Sequence, residues 1–270
     1  DGKTACGLKD GHNTALHTIS ALVTDSGLCL GQEHTRGKGN EIPAIKALLD
    51  TLALKGCIVT LDAIGCQTEI AQKILDRGGD YLLAVKDNQE TLATALREFF
   101  ADGEAAGFGT LPVSCHQSVE KDHGRIETRR ALWVTDLSWL DRKLRTHWPK
   151  LAGIGMIERQ REINGKTSSE RAFYIGSQGI ATAQSFATAA RAHWGIENSL
   201  HWVLDVTFRE DDCRVRKDHA PHNFAALRKF ALALLRQDTQ YPKRSLRSRR
   251  KTAERLPDYR ASLLGLTLRG

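Results

Sequence analysis

The spacing of apolar residues changes several times along the chain, and each change marks a different element. Residues 17–23 (HTISALV) and 28–33 (LCLGQE) are short β-leaning runs separated by TDSG, whose Asp, Ser and Gly favour a turn, so they predict a hairpin. In EIPAIKALLDTLAL, Ile42, Ile45, Leu48, Leu49 and Leu52 recur at helical spacing, with Asn40 as the expected N-cap and Gly56 as the stop. Residues 57–61 form a continuous apolar, β-branched run, the pattern of a strand covered on both faces, and it ends at Asp62. EIAQKILDRGGD then predicts a helix with a Gly-Gly stop, YLLAV a buried strand and QETLATALREFF a further helix. Strands alternating with helices argue for a layered α/β core with parallel strands.

After Gly103 the pattern becomes mainly β. VSCHQSVEKDHGRIETRRALWVTD, GIGMIERQREI and RAFYIGS read as strands of an antiparallel sheet, with a short segment around SWLDRKLRTHW and NGK as a turn signal between the last two strands. Residues 111–179 are therefore expected to be an inserted or appended β-rich section. Helical periodicity returns from Thr182 to about Leu204 and again in FAALRKFALALLRQ. There is no internal repeat.

Composition narrows the class. The chain has 270 residues and 41% apolar content, enough for one large domain or a domain with a sizeable insertion. No apolar run approaches the roughly 20 residues that span a bilayer, and DGKTACGLKD lacks the core and flanks of a signal peptide, so a cytoplasmic protein without membrane contact is expected. Six widely spaced cysteines, with no CxxC pair, signal neither a zinc ribbon nor a disulfide framework and read as reduced thiols. Formal charge is +7, and KRSLRSRRKTAER near the end concentrates basic residues that suit a polyanionic partner, although a solvated tail has the same composition.

Three carboxylates occupy positions that invite chemistry. Asp1 stands in DGKT before the hairpin, Asp62 follows a predicted strand, and Glu197 lies within a helix. The C-terminal end of a strand is where open α/β sheets place ligands, but an acid there also serves simply to cap the next helix. His193 and His201 lie four residues to either side of Glu197, so helical spacing puts all three on one face with Leu200 and Leu204. An acid on a partly apolar face needs a partner, and a metal ion is one. Carboxylates suit Mg2+ or Mn2+, whereas His-x3-Glu-x3-His suits zinc, so both remain open on spacing alone.

The motifs DGKT, KGNEIPAIKALLD, KGCIVTLDAIGCQ, GGDYLLAVKDNQ, HGRIETR and HWGIENSLHWVLDVTFRED together resemble bacterial insertion-sequence transposases of the DDE type, in the ISAs group that includes the H-repeat-associated proteins of Rhs elements. The likeness covers nearly the whole chain. It implies an α/β fold with an RNase H-like mixed sheet flanked by helices, and a mainly-β insertion before the Glu-bearing helix. In these terms residues 1–110 are the first part of the catalytic core, 111–179 the insertion, 180–240 the helical completion of the core and 241–270 a basic C-terminal segment. The resemblance further implies that Asp1, Asp62 and Glu197 form a catalytic triad binding two Mg2+ ions, with Mn2+ as a possible substitute. Its expected partners are double-stranded DNA, as element ends and target, and a second copy of the chain in a homodimeric DNA complex.

Two departures stand out. Related transposases carry a Tyr-Arg-Glu-Lys signature, with Arg four residues before the Glu and Lys seven after it; here those positions are His193 and Leu204. Phosphate contacts are then expected from Arg191, His193, His201, Arg209 and Lys86, with Asn88, Gln89 and Arg125 as further DNA contacts and Gly124 and Glu127 shaping the same segment. Asn88 is alternatively a helix cap, Arg125 and Glu127 a surface pair, and Trp194 and Trp202 are expected in the core rather than stacked on bases. The second departure is the start at Asp1, before which relatives carry a helical region, so the chain is expected to be a fragment or a truncated product whose α-amino group lies beside the first carboxylate. The expected reaction is in-line attack of water and then a 3′-hydroxyl on phosphodiesters. Rival readings are a truncated, catalytically inactive DNA-binding remnant and a metal-dependent phosphatase or hydrolase.

Overall fold

A computed structural model describes residues 1–5, 16–35, 38–122 and 125–266, so Cys6 and Gly124 lie outside the described residues. The chain divides into two units, Asp1–Leu52 with Trp194–Gly270, and Ala53–His193.

In the first unit, β1 (Gly2–Ala5), β2 (Leu16–Val23) and β3 (Leu28–Thr35) form a three-stranded antiparallel sheet in chain order. The hairpin predicted around TDSG is the β2–β3 pair. Helix α1 (Glu41–Thr51) packs on it through Ala44, Ile45, Leu48 and Leu49, the positions its 3.6-residue period marks. Asn40 makes no side-chain cap bond, and the helix stops at Thr51 because Leu52 is already extended. Gly56, with φ +74°, instead forms the turn before the next strand. Helix α7 (Ala220–Gln237) is amphipathic as expected, and Leu232 joins Ile196, Leu200, Val203 and Leu204 in the unit's apolar cluster. The basic segment is folded: helix α8 (Leu246–Arg255) is capped by Ser245, and α9 (Pro257–Leu263) follows. The Arg249 guanidinium is buried and donates to the carbonyls of Leu235 (2.8 Å), Pro242 (2.8 Å) and Arg244 (3.0 Å).

The second unit carries a six-stranded mixed sheet ordered β4-β5-β9-β8-β7-β6. Strand β4 (Ile58–Leu61) pairs parallel with β5 (Asp80–Val85), and β6 (Val113–Asp122), β7 (Arg125–Val134), β8 (Gly153–Ile163) and β9 (Lys166–Gly176) are antiparallel. Helices flank this sheet, as an α/β mixed fold requires. Strand β5 is buried as its apolar run predicts, but β4 is the sheet edge and only Leu61 on it is buried, so a continuous apolar run here does not mean coverage on both faces. Helices α2 (Thr68–Asp76) and α3 (Glu90–Ala106) match the two predicted helical stretches. The SWLDRKLRTHW segment contains the short helix α4 (Arg142–His147), capped by Asp141, which accepts from Lys143 N at 2.8 Å.

Asn164 (φ +51°) and Gly165 (φ +73°) form the two-residue turn between β8 and β9, the left-handed pair that NGK predicts. On one sheet face Trp133 and Tyr174 pack against Phe186 of α5 (Ala183–Ile196), with ring centroids 5.0 and 5.3 Å away. Gly153 and Gly155 lack side chains where the indole and phenyl rings lie: a Cβ there would stand 2.4 Å from Trp133 and 2.5 Å from Phe186. Burying each of these rings stabilises the unit by about 2–3 kcal/mol. No described helix is long and apolar enough to cross a membrane.

Candidate active site

Asp1 immediately precedes β1, and its backbone pairs with Ser20 of β2 in both directions, at 3.0 and 2.8 Å. Gly2 is required by close approach, since a Cβ on it would lie 2.6 Å from His17 Nε2. His17 itself is buried, with Nδ1 2.8 Å from the Thr4 hydroxyl and Nε2 2.9 Å from Glu41. Lys3, next to the carboxylate, lies 2.7 Å from Asp205, 3.4 Å from Glu210 and 3.4 Å from Asp211. Burial alone would lower the Lys3 ammonium, but its bond to Asp205 and the charges of Glu210 and Asp211 outweigh burial and hold it above the ordinary lysine range. Strand β1 is thus fixed in place along its length.

Glu197 sits where α5 gives way to one π-helical turn, Glu197–His201, before α6 (Trp202–Val206). The Trp202 N–H reaches back to the Glu197 carbonyl, the i→i+5 bond that defines such a turn and that recurs at functional sites. Arg236 of α7 donates to the Ser199 carbonyl and also to that of Gly27. Leu200 and Leu204 face the core, whereas the Glu197 side chain is 64% exposed, so the acid is not buried as helical spacing suggested. Trp194 and Trp202 are each 57% exposed rather than core residues. The reason is geometric: Ile196, Leu200, Val203 and Leu204 form the core-facing stripe, which turns both indoles outward.

His201 is the buried partner of this acid. It is 3% exposed, its Nδ1–H donates to Glu197 Oε2 at 3.0 Å, and Asp1 Oδ2 lies 3.6 Å from the same nitrogen. One donor atom each from Asp1, Glu197 and His201 falls within 4.8 Å of the others, the single such set of three among the described residues. Two carboxylates and an imidazole are a donor set that a divalent cation accepts. Burial pushes the His201 imidazole below its ordinary pKa, against the opposing effect of Glu197.

Asp62 immediately follows β4 and accepts from the Gly65 N–H at 3.3 Å, so it braces its own loop. The same loop is held by Asn88 Nδ2, which donates to the Ala63 carbonyl at 2.7 Å, and by Gln89 Nε2, which donates to that of Cys66 at 2.9 Å. Asn88 does not cap α3. His193 Nδ1 shares a hydrogen bond of 3.1 Å with the Thr60 hydroxyl on β4, and burial holds its pKa down, opposed by Asp62. Arg191 pairs with Glu120 through its two terminal guanidinium nitrogens, at 2.7 and 2.9 Å. Arg209 pairs with Asp212 at 2.7 Å, Arg125 lies 3.8 Å from Glu127, and Lys86, just after β5, is exposed. Sequence reasoning passed over Lys3, Thr60 and Arg236, because their partners lie far away along the chain and no local spacing pairs them.

Residues 5–234 match the family described as Transposase DDE domain. "H repeat-associated putative transposase YhhI" of Escherichia coli K12 is 39% identical over 93% of this chain, as is "Putative protein YbfL" of the same strain. "Putative transposase YncI" of Escherichia coli O157:H7 is 38% identical over 94% of it. The chain spans 66% of the length of the first two relatives and 65% of the third. With the family matched over most of its length, the chain belongs to the transposase DDE domain family.

Proposed function

We propose that this chain is the catalytic part of a DDE transposase, cutting DNA at insertion-sequence ends and joining the freed 3′-hydroxyl to target DNA with divalent metal ions. The observation that carries the reading is the set formed by Asp1, Glu197 and His201, three metal-ligand types within 4.8 Å in a chain of this family. Asp62, which follows a strand, is the remaining carboxylate of the triad, within an RNase H-like arrangement interrupted by the β-rich segment. Held by these carboxylates, two Mg2+ ions, or Mn2+ in their place, would supply the positive charge that an in-line displacement at phosphorus needs.

The chain's own residues have separable tasks. Asp1 and Glu197 offer oxygen ligands, and in the metal-free chain the His201 Nδ1–H holds the Glu197 carboxylate in one rotamer. Lys3 neutralises the acids beside β1 and keeps Asp1 on a fixed strand end. Asn88 and Gln89 serve by bracing the loop after Asp62, and the Thr60–His193 bond secures the end of β4 just before it. Exposed cations at Lys243, Arg247 and Lys251, in a chain of charge +7, suit the phosphates of duplex DNA, with Lys86, Arg125, Arg191 and Arg209 as further contacts. A DNA substrate places the protein in the cytoplasm, and paired element ends call for two copies of the chain.

The test is strand cleavage of element-end DNA in Mg2+. Glu197→Gln is expected to lower the rate at least about a thousandfold while leaving DNA retardation unchanged. Cleavage that survives the substitution removes Glu197 from the reading. DNA retardation without cleavage by the unaltered chain replaces it with a DNA-binding remnant.

A further inference from the structure

We propose that His201 is itself a ligand of the ion held by Asp1 and Glu197, and that its nitrogen biases the site toward Mn2+ over Mg2+. The inference rests on the metal-site reading above and deepens it, because a site of carboxylates alone has no such bias.

Three observations carry it. The Nδ1 atom is the point that both carboxylates face, 3.0 Å from Glu197 and 3.6 Å from Asp1, so the ring N–H stands where a cation would draw the same two oxygens. The imidazole is buried at the end of the π-helical turn, and ordering it at the site therefore costs little further entropy on binding. The other ring nitrogen, Nε2, is buried without a hydrogen-bond partner among the described residues. That last point is unusual for a histidine whose only task is to hold Glu197, because a buried polar atom left alone costs about 1–3 kcal/mol.

Ligation explains both ends of the ring. When Nδ1 gives its lone pair to the ion, the proton sits on Nε2, with no net proton gained or lost. His201 also lines a small cavity with Lys3, Thr18, Ser20, Glu210 and Lys229, polar enough that a water there would take the Nε2 hydrogen bond. Mg2+ keeps to oxygen ligands, whereas Mn2+, a first-row transition metal at the weak end of the N/O affinity series, tolerates one nitrogen beside two carboxylates.

The experiment is pulsed electron paramagnetic resonance of Mn2+ bound to the full chain without DNA, alongside titrations of Mn2+ and Mg2+. Expected is a 14N coupling from a directly bound imidazole, present in the unaltered protein and in His193→Gln but absent in His201→Gln. The latter should weaken Mn2+ binding by about 10-fold or more while shifting Mg2+ binding less than about 3-fold. Bound Mn2+ with no 14N coupling in the unaltered protein overturns the role of His201 and leaves the carboxylate site standing; this readout needs no variant that folds. Failure of the unaltered chain to bind Mn2+ at all overturns both.

Discussion

At the scale of single residues, donors and acceptors around His34 fix its protonation. Lys229 donates to Gln32 Oε1 at 2.5 Å, which orients the amide so that Gln32 Nε2 donates to His34 Nε2 at 3.1 Å; Nδ1–H is left to donate to the Thr18 hydroxyl at 3.0 Å. Burial, with the stacked His222 ring 4.2 Å away and the Lys229 charge, lowers its pKa from 6.5 to about 4. Between those values the unfolded chain binds a proton that the folded chain refuses, so stability falls as pH drops from about 6.5 to about 4 and the contribution levels off below. His34→Gln is expected to flatten that slope, by on the order of 2 kcal/mol across the window, in urea unfolding followed at several pH values. None of this network is legible in the sequence, since Thr18, Gln32, His34, His222 and Lys229 share no local pattern. Asp1 was legible through the motif it opens and Glu197 through motif and helical spacing together; His201 was marked only as one of two flanking histidines, and spacing could not say that His193 bonds Thr60 while His201 bonds Glu197.

At the scale of elements, the π-helical turn at Glu197–His201 is the feature that spacing rules do not anticipate, because an apolar stripe reads the same with one extra residue in the turn. Arg236 is its external support, donating to the Ser199 and Gly27 carbonyls. Arg236→Met should leave both carbonyls without that donor and destabilise the fold by about 2–4 kcal/mol, read as a lower urea midpoint at unchanged slope. Gly165→Ala, where φ is +73°, should cost about 1 kcal/mol in the same measurement. Hairpins and amphipathic helices were legible, since TDSG, NGK and the α1 and α7 periodicities each specify their element locally. The exposure of β4 was not, because an edge strand and a central one share the same apolar run. The basic segment's helices were also hidden: composition described Lys243–Arg255 as a tail, whereas Arg249 buries its guanidinium among four backbone carbonyls.

At the scale of the whole molecule, the proposed DNA substrate rests on the family and on an excess of seven positive charges, which suits a polyanion. The strands divide between a three-stranded sheet in the unit that carries Asp1 and Glu197 and a six-stranded sheet in the unit that carries Asp62. The order of elements was legible along most of the chain; this partition was not, because strand pairing across long sequence separations leaves no local trace. Among the proposed triad, Asp62 has the least beside it: its one described hydrogen bond is to its own loop, at Gly65. The most direct measurement is therefore the rate of Mg2+-dependent cleavage of element-end DNA by Asp62→Asn beside Glu197→Gln, at protein concentrations where both retard DNA equally. The account predicts that each substitution abolishes cleavage to the same extent; cleavage by Asp62→Asn at the rate of the unaltered chain would contradict it.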